Sequence, residues 1–167
     1  MITINKETIL NFEPCRDRLD NYLENYSDFS GTLDEFLELR NISYYDKIWV
    51  GVRLLTFNQR VHFAILCADS VSHLTDDKSV KEFLDYLKSI PDFSELSKEQ
   101  EENILSHKSA HAFAFSYASA SYASASHASA SASASYASAS ASASASNDGR
   151  ELQEKLNLEF LKVAASL

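Results

Sequence analysis

The sequence predicts an all-α protein, a bundle of about six to eight helices. Its 167 residues include only 3 Gly and 2 Pro, whereas chains rich in strands need more turn residues. Helix-start signals also recur along the chain, each followed by apolar residues three or four positions apart. The length suits one domain, with an N-terminal helical core (1–96), a Ser/Ala-rich helix or helical hairpin (97–148) and a C-terminal helix (149–167).

Helix starts are marked at several positions. Capping boxes begin at Thr32, Thr56 and Ser97, each followed three residues later by Glu or Gln. A weaker version begins at Ser43, with an aspartate three residues on. Pro14 suits the first turn of an earlier helix, where its missing N–H has no intrahelical partner to lose.

Apolar residues at helical spacing follow these starts and predict the buried faces of five helices within 1–96. The faces, in order, are Cys15, Leu19, Tyr22, Leu23 and Tyr26; Leu33, Phe36 and Leu37; Ile48, Trp49, Val52 and Leu55; Val61, Ala64, Ile65, Ala68 and Val71; and Val80, Phe83, Leu84 and Leu87.

The sequence also predicts where the fifth helix ends and which elements form the two ends of the chain. Pro91 ends the fifth helix, and a final helix is predicted from about Arg150. Its predicted buried face consists of Leu152, Leu156, Phe160 and Val163. Residues 1–4 suggest a short extended piece, for which the sequence shows no partner strand.

Residues 110–146 are mostly alternating Ala and Ser, which is compatible with a strand, with disorder or with a helix. The serine phase reverses after each of Tyr122, His127 and Tyr136, so a strand would change its serine face each time. On a helix, most of the bulky side chains align on two faces. The sequence therefore favours a long helix. Unbroken from the cap at Ser97 to the stop near Asn147, this helix would be about 73 Å long. A compact domain of this size is only about 40 Å across, so we expect a break near 127–136 or a protruding rod.

Composition narrows the classes of function. A formal charge of −9 disfavours nucleic-acid binding and anionic membrane surfaces. No apolar run approaches the roughly 18 residues of a membrane span, and the polar start predicts no signal peptide. Two cysteines, Cys15 and Cys67, do not make a disulfide framework, and Cys67 lies in an apolar run that predicts a buried free thiol. We therefore expect a cytoplasmic protein.

Candidate chemistry is sparse. His107 and His111 have the i, i+4 spacing of a zinc pair, and they are weak candidates because two ordinary helix histidines explain them as well. Cys67 with His62 or His73 is a conceivable nucleophile and base, although a lone buried cysteine is commoner. The sequence shows no serine-nucleophile elbow or phosphate-binding loop, and it assigns no catalytic, cofactor or partner-binding residue.

Charged residues within the apolar helices predict structural ion pairs. Asp46 and Asp69 lie in such helices, with Arg53 and Arg60 nearby in sequence. Burying an unpaired charge is unfavourable, so pairing is the expected arrangement. A carboxylate poised for catalysis has no support in the pattern.

The segments Tyr45–Leu55 and Phe63–Val71, the polar link Asp76–Ser79 and the long tail with spaced aromatics resemble the immunity protein family of bacterial polymorphic toxin systems. Relatives of that family occur in phages and prophages, and the opening Ile2–Ile9 is similar to the start of some phage relatives. The tail departs from the family by placing serine where alanine, arginine or tryptophan is more usual. The family offers no functional residues to transfer to this sequence.

The resemblance implies an all-α, non-enzymatic inhibitor that binds and neutralises a toxin or, for a phage protein, acts on a host defence component. It implies a protein partner and no cofactor. Two alternatives remain from the residues. One is a structural or self-assembling protein built on the Ser/Ala helix, and the other is an enzyme of unknown chemistry that uses Cys67 or the histidine pair.

Overall fold

The computed structural model describes residues 3–70, 72, 78–106 and 150–167. These residues form eight α-helices and one two-stranded sheet, which confirms the all-α prediction. The elements in chain order are β1 (Ile4–Asn5), α1 (Lys6–Asn11), α2 (Arg16–Tyr26), β2 (Ser30–Gly31), α3 (Leu33–Leu37), α4 (Tyr44–Leu54), α5 (Phe57–Ser70), α6 (Lys78–Lys88), α7 (Lys98–Ser106) and α8 (Arg150–Ala165).

The extended piece at the start of the chain does have a partner strand, contrary to the prediction. Ile4 pairs with Gly31 and Asn5 with Ser30, in antiparallel register. Two-residue strands are too short to show the alternation by which strands are recognised in a sequence. The pairing joins the start of the chain to the connection between α2 and α3, and Ile4 becomes fully buried.

The predicted helix caps are confirmed. The Thr32 hydroxyl accepts from the Glu35 amide at 3.3 Å, while the Glu35 carboxylate accepts from the Thr32 amide at 2.7 Å. The same reciprocal pair, with glutamine as the third residue on, opens α5 at Thr56 and α7 at Ser97. Ser43 caps α4 by accepting from the amide three residues on, at 3.2 Å. Each cap satisfies amides that the first turn leaves unpaired.

The start of α2 differs from its prediction. Pro14 lies ahead of the helix, and Cys15 is its N-cap residue, with extended backbone (φ −63°, ψ 151°) and no side-chain capping bond. Cys15 is therefore exposed and does not belong to the buried face. The chain enters this cap through Glu13, whose φ of 52° is unusual for a residue with a side chain.

Two hydrophobic clusters form the core, and α5 contributes to both. Phe63, Ala64 and Cys67 join the larger cluster, which also contains residues of β1, α1 to α4 and α8. Val61 and Ile65 join the smaller cluster, where all four predicted residues of α6 are buried together with Ile104 of α7. Because α5 is enclosed on two sides, it is buried around most of its circumference.

The predicted buried face of α8 is wrong at two of its positions, although Phe160 does pack against the larger cluster. Val163 is 50% exposed and Leu156 is 38% exposed, whereas Asn157, Leu161 and Ala164 are fully buried. The helix is thus rotated so that a polar residue enters the core. Phe160 is half-buried, and the side chain of Leu152 lies outside the described part of the chain.

Two contacts explain the orientation of α8. The Asn157 amide donates to the Tyr44 hydroxyl at 2.8 Å, which offsets the burial of a polar group. Leu161 packs on Gly51 of α4, where the absence of a side chain lets the two helices approach closely. Neither contact can be inferred from residue spacing within α8, because both partners belong to another helix.

The Ser/Ala tract is not described beyond α7. Residues 107–149 lie outside the described ranges, so the long helix and its break near 127–136 stay predictions, as does the division of the chain at 96 and 148. The start of α7 after Ser97 and of α8 at Arg150 agrees with the prediction. Among the helices that the structure describes, none is both long enough and apolar enough to cross a membrane.

Candidate binding groove

The candidate nucleophile Cys67 is enclosed in the larger hydrophobic cluster. Its side chain is 0% exposed, and burial strongly raises the pKa of its thiol. A thiol in this state does not form the reactive thiolate near neutral pH. Cys67 and His62 are five positions apart on α5, about 140° around the helix axis, so they face different directions. The His62 ring instead packs edge-on against the Phe93 ring, with the two ring centres 5.5 Å apart.

The remaining histidine candidates cannot be placed. His73, His107 and His111 lie outside the described residues. In residues 3–70, 72, 78–106 and 150–167, no three His, Cys, Asp or Glu side chains cluster closely enough to hold a metal ion.

Asp46 and Asp69 form structural ion pairs as predicted, but with residues of other helices and not with Arg53 and Arg60. Asp46 pairs with Arg18 of α2, and Asp69 pairs with Lys88 of α6 at 2.9 Å. Asp46 and Arg53 are seven residues apart, about 10 Å along the axis of α4, which is too far for direct contact. Both carboxylates therefore join two different helices.

The two arginines bond to backbone carbonyls. Arg53 Nη1 donates to the Trp49 carbonyl at 2.9 Å, and its guanidinium lies 3.6 Å from the centre of the Trp49 ring. Buried Arg60 donates from Nε and Nη2 to the Leu55 carbonyl at 2.9 and 2.7 Å. That carbonyl follows the last residue of α4 and has no intrahelical donor, so Arg60 satisfies a group that the helix end leaves free.

A groove of about 420 Å³ opens between α2, α4 and the connection that joins α1 to α2. Its buried lining is apolar or aromatic and consists of Ile9, Tyr22, Phe36, Ile42 and Val50. Trp49 and Arg53 form a half-buried wall, and Cys15, Arg18 and Tyr45 lie exposed at the rim. This volume is within the range of about 300–1,000 Å³ that is usual for ligand pockets.

The two arginines of the groove have different electrostatic environments. Arg18 donates to the carboxylate of Asp46, and this bond raises the pKa of Arg18. Ser43 also donates to Asp46, at 2.6 Å, so the carboxylate is held on two sides. Arg53 has no carboxylate within ion-pair distance among the described residues, and its pKa is lowered first by burial and then by the nearby positive charge of Arg60.

Tyr22 adds a buried polar atom to the groove lining. The residue is 3% exposed, and its hydroxyl has no hydrogen-bond partner in the part of the chain that the structure describes. Burial raises the pKa of Tyr22, so the hydroxyl stays protonated and remains a donor. Buried hydroxyls without a partner are uncommon, and this oxygen is itself closed to solvent.

The sequence did not point to this groove. Trp49 was expected in the core and Arg53 in an ion pair, whereas the structure stacks one on the other. Their i, i+4 spacing on α4 was the available signal, because residues four apart share a helix face. The contribution of Tyr22 and of the α1–α2 connection depends on tertiary packing and has no local signal.

The fold and the groove together define an all-α bundle with a partly apolar cleft, which contains an arginine that has no carboxylate within ion-pair distance among the described residues. No protein-family model, curated protein or solved structure matches the chain. The resemblance to the immunity protein family therefore stays a prediction.

Proposed function

We propose that the protein is a non-catalytic, cytoplasmic inhibitor that binds another protein, of the immunity type that neutralises a toxin or of the phage type that acts on a host defence component. The groove between α2 and α4 is the observation that supports this proposal. Trp, Tyr and Arg dominate the energetic centres of protein interfaces, and the groove presents Trp49, Tyr45, Arg18 and Arg53 together.

The groove is held in place by the fold, which favours recognition. Arg18 on α2 and Asp46 on α4 join its two sides, and the Trp49 ring contacts Phe12 edge-on at 6.3 Å. Side chains that are ordered before binding lose less conformational freedom when a partner docks. Such a surface suits a binding protein.

Net charge favours a particular kind of partner. A chain with a formal charge of −9 attracts a basic protein over distances of about 10 Å and repels nucleic acid. The long-range field would bring a basic partner to the surface, while the groove would determine where it docks. Charge of this kind mainly affects the association rate and the choice of partner.

Affinity capture from host cells and from toxin-expressing cells tests the proposal, with Tyr45→Ala as the groove variant. Tyr45 is 51% exposed, so the substitution removes contact area with little effect on folding. Leu10→Ala is the matched control, because Leu10 is 42% exposed and does not line the groove. We expect the wild type and Leu10→Ala to retain the same partner and Tyr45→Ala to lose it. We also expect co-expression of the wild-type protein to relieve the toxicity of that partner. No specific partner in either extract would refute the proposal.

A further inference from the structure

We infer that the groove binds a segment of the partner protein in which a carboxylate lies next to a large apolar side chain. The apolar side chain enters the cavity beside Ile42 and Val50, and the carboxylate pairs with Arg53. This inference rests on the proposed function and specifies the chemistry of its partner.

The charge of Arg53 supports a carboxylate. The guanidinium is half-buried, and one of its five N–H groups donates to the Trp49 carbonyl. Among the described residues, no carboxylate approaches within ion-pair distance of Arg53, although the whole chain contains 24 acidic residues. A partly desolvated cation gains more from an incoming anion than an exposed one does, because the surrounding dielectric is lower. Arg18 already has its counter-ion in Asp46.

The position of the guanidinium also favours this pairing. It lies over the Trp49 ring at 3.6 Å from the ring centre, and stacking of this kind holds the planar group in one orientation. Donors held in one orientation can bind a carboxylate through two parallel hydrogen bonds.

The apolar lining supports a neighbouring hydrophobic side chain. Ile9, Phe36, Ile42 and Val50 are all buried and line the same cavity. Tyr22 lines it as well, and it adds an aromatic ring to this apolar surface. A ligand that is apolar at one end and anionic at the other matches both parts of the groove.

Synthetic peptides test the inference directly. The probe is the capped pentapeptide Ac-Gly-Leu-Phe-Asp-Gly-amide, and the comparison peptide has Asn in place of Asp. Binding is followed by the fluorescence of the single tryptophan and by chemical shifts of the arginine side chains. We expect the Asp peptide to bind about tenfold more tightly than the Asn peptide, as a charge-assisted hydrogen bond predicts. Equal affinities, or no binding of either peptide, would overturn the inference.

Variants assign the preference to one residue. Arg53→Gln should abolish the difference between the peptides, and Arg53→Lys should retain part of it, because lysine keeps the charge without the forked donors. Arg16→Gln is the matched control on α2, since Arg16 is 91% exposed and does not line the groove. Circular dichroism checks folding, and the wild-type comparison of the two peptides decides the question if a variant unfolds. A preference that survives in Arg53→Gln would contradict the assignment.

The competing occupants give different results. If 3-phenylpropionate bound as tightly as the Asp peptide, the groove would be a site for small organic acids, and the inference of a peptide ligand would be overturned. Self-association that Arg53→Gln removes would indicate a second copy of the chain. If a partner were captured equally well in the presence of the Asp peptide and by the Arg53→Gln variant, that result would refute the inferred groove chemistry and leave the proposed function intact. Peptide binding without any captured partner would refute the proposed function alone.

Discussion

Gly51 on α4 provides the most direct test of how α8 packs. A Cβ atom at this position would lie 3.2 Å from Cγ and 3.4 Å from Cδ1 of Leu161, and it would clash with Cδ2. Leu161 is 0% exposed, so its side chain has little room to move away. We expect Gly51→Ala to separate the two helices or to force Leu161 into an unfavourable rotamer.

The magnitude follows from two opposing effects. Overpacking of a closed core typically costs about 1–3 kcal/mol. Replacing glycine within a helix by alanine returns about 1 kcal/mol through helix propensity. We expect the packing effect to exceed the propensity effect, because three carbon atoms of one enclosed side chain are involved, and the net destabilisation of Gly51→Ala to be about 1–2 kcal/mol. For a chain of this length, that lowers Tm by roughly 2–8 °C.

The assay is urea unfolding followed by circular dichroism at 222 nm, completed as a double-mutant cycle with Leu161→Ala. The single Leu161→Ala substitution should cost about 2–5 kcal/mol. In that background Gly51→Ala should become neutral or stabilising, so the coupling energy between the two sites should be about 1–3 kcal/mol. Val163→Ala is the control on the same helix, and its effect should stay within about 0.5 kcal/mol because Val163 is half exposed. Two results would refute the close approach of α4 and α8. One is a Gly51→Ala protein as stable as the wild type, and the other is a Gly51→Ala destabilisation that is the same with and without Leu161→Ala.

Three further predictions concern other parts of the fold. Thr32→Ala should lower the free energy of unfolding by about 1 kcal/mol, measured in urea, by removing a helix cap. The Thr32 amide and hydroxyl lower the pKa of Glu35. The Glu35 carboxylate therefore stabilises the fold above its unfolded pKa, and this contribution is lost as pH falls through the lowered folded-state pKa. NMR titration should show the pKa of Glu35 rising in Thr32→Ala and staying unchanged in a control variant that keeps the cap. Tyr44→Phe should cost about 1 kcal/mol in thermal unfolding, since it removes one acceptor of the buried Asn157 amide, and unchanged stability would contradict that role. A thiol reagent should modify exposed Cys15 rapidly and buried Cys67 only in urea. The folded Cys15→Ala protein should therefore not react with the reagent. Rapid modification of that variant would show that Cys67 is accessible.

Much of the helical architecture could be predicted from residue types and their spacing. The capping boxes at Thr32, Thr56 and Ser97 form as expected, because each involves side chains and amides only three residues apart. The apolar face of α6 was also predicted in full, since this helix packs along one side only. Local hydrogen bonds and amphipathic spacing therefore suffice where one helix determines its own surroundings.

The candidate groove could not be predicted in the same way. Its cavity depends on the placement of α2 against α4 and on the connection between α1 and α2, which contains Glu13. Spacing identified Trp49 and Arg53 as members of one helix. That no carboxylate of the described residues lies near Arg53 becomes evident only when its neighbours are placed. Asp46 illustrates the same point, because its partner Arg18 is 28 residues away in the chain.

Residue order alone was enough to identify helices α2 to α8, the starts of most of them and the burial of Cys67, since these depend on propensity, capping and the balance of apolar and polar residues within a few turns. It did not indicate α1. Tertiary contacts decided the pairing of β1 with β2, the face that α8 turns to the core and the electrostatic state of the groove. Asn157 shows why. A polar side chain is predicted to face solvent until a distant hydroxyl, here that of Tyr44, provides the hydrogen bond that permits its burial.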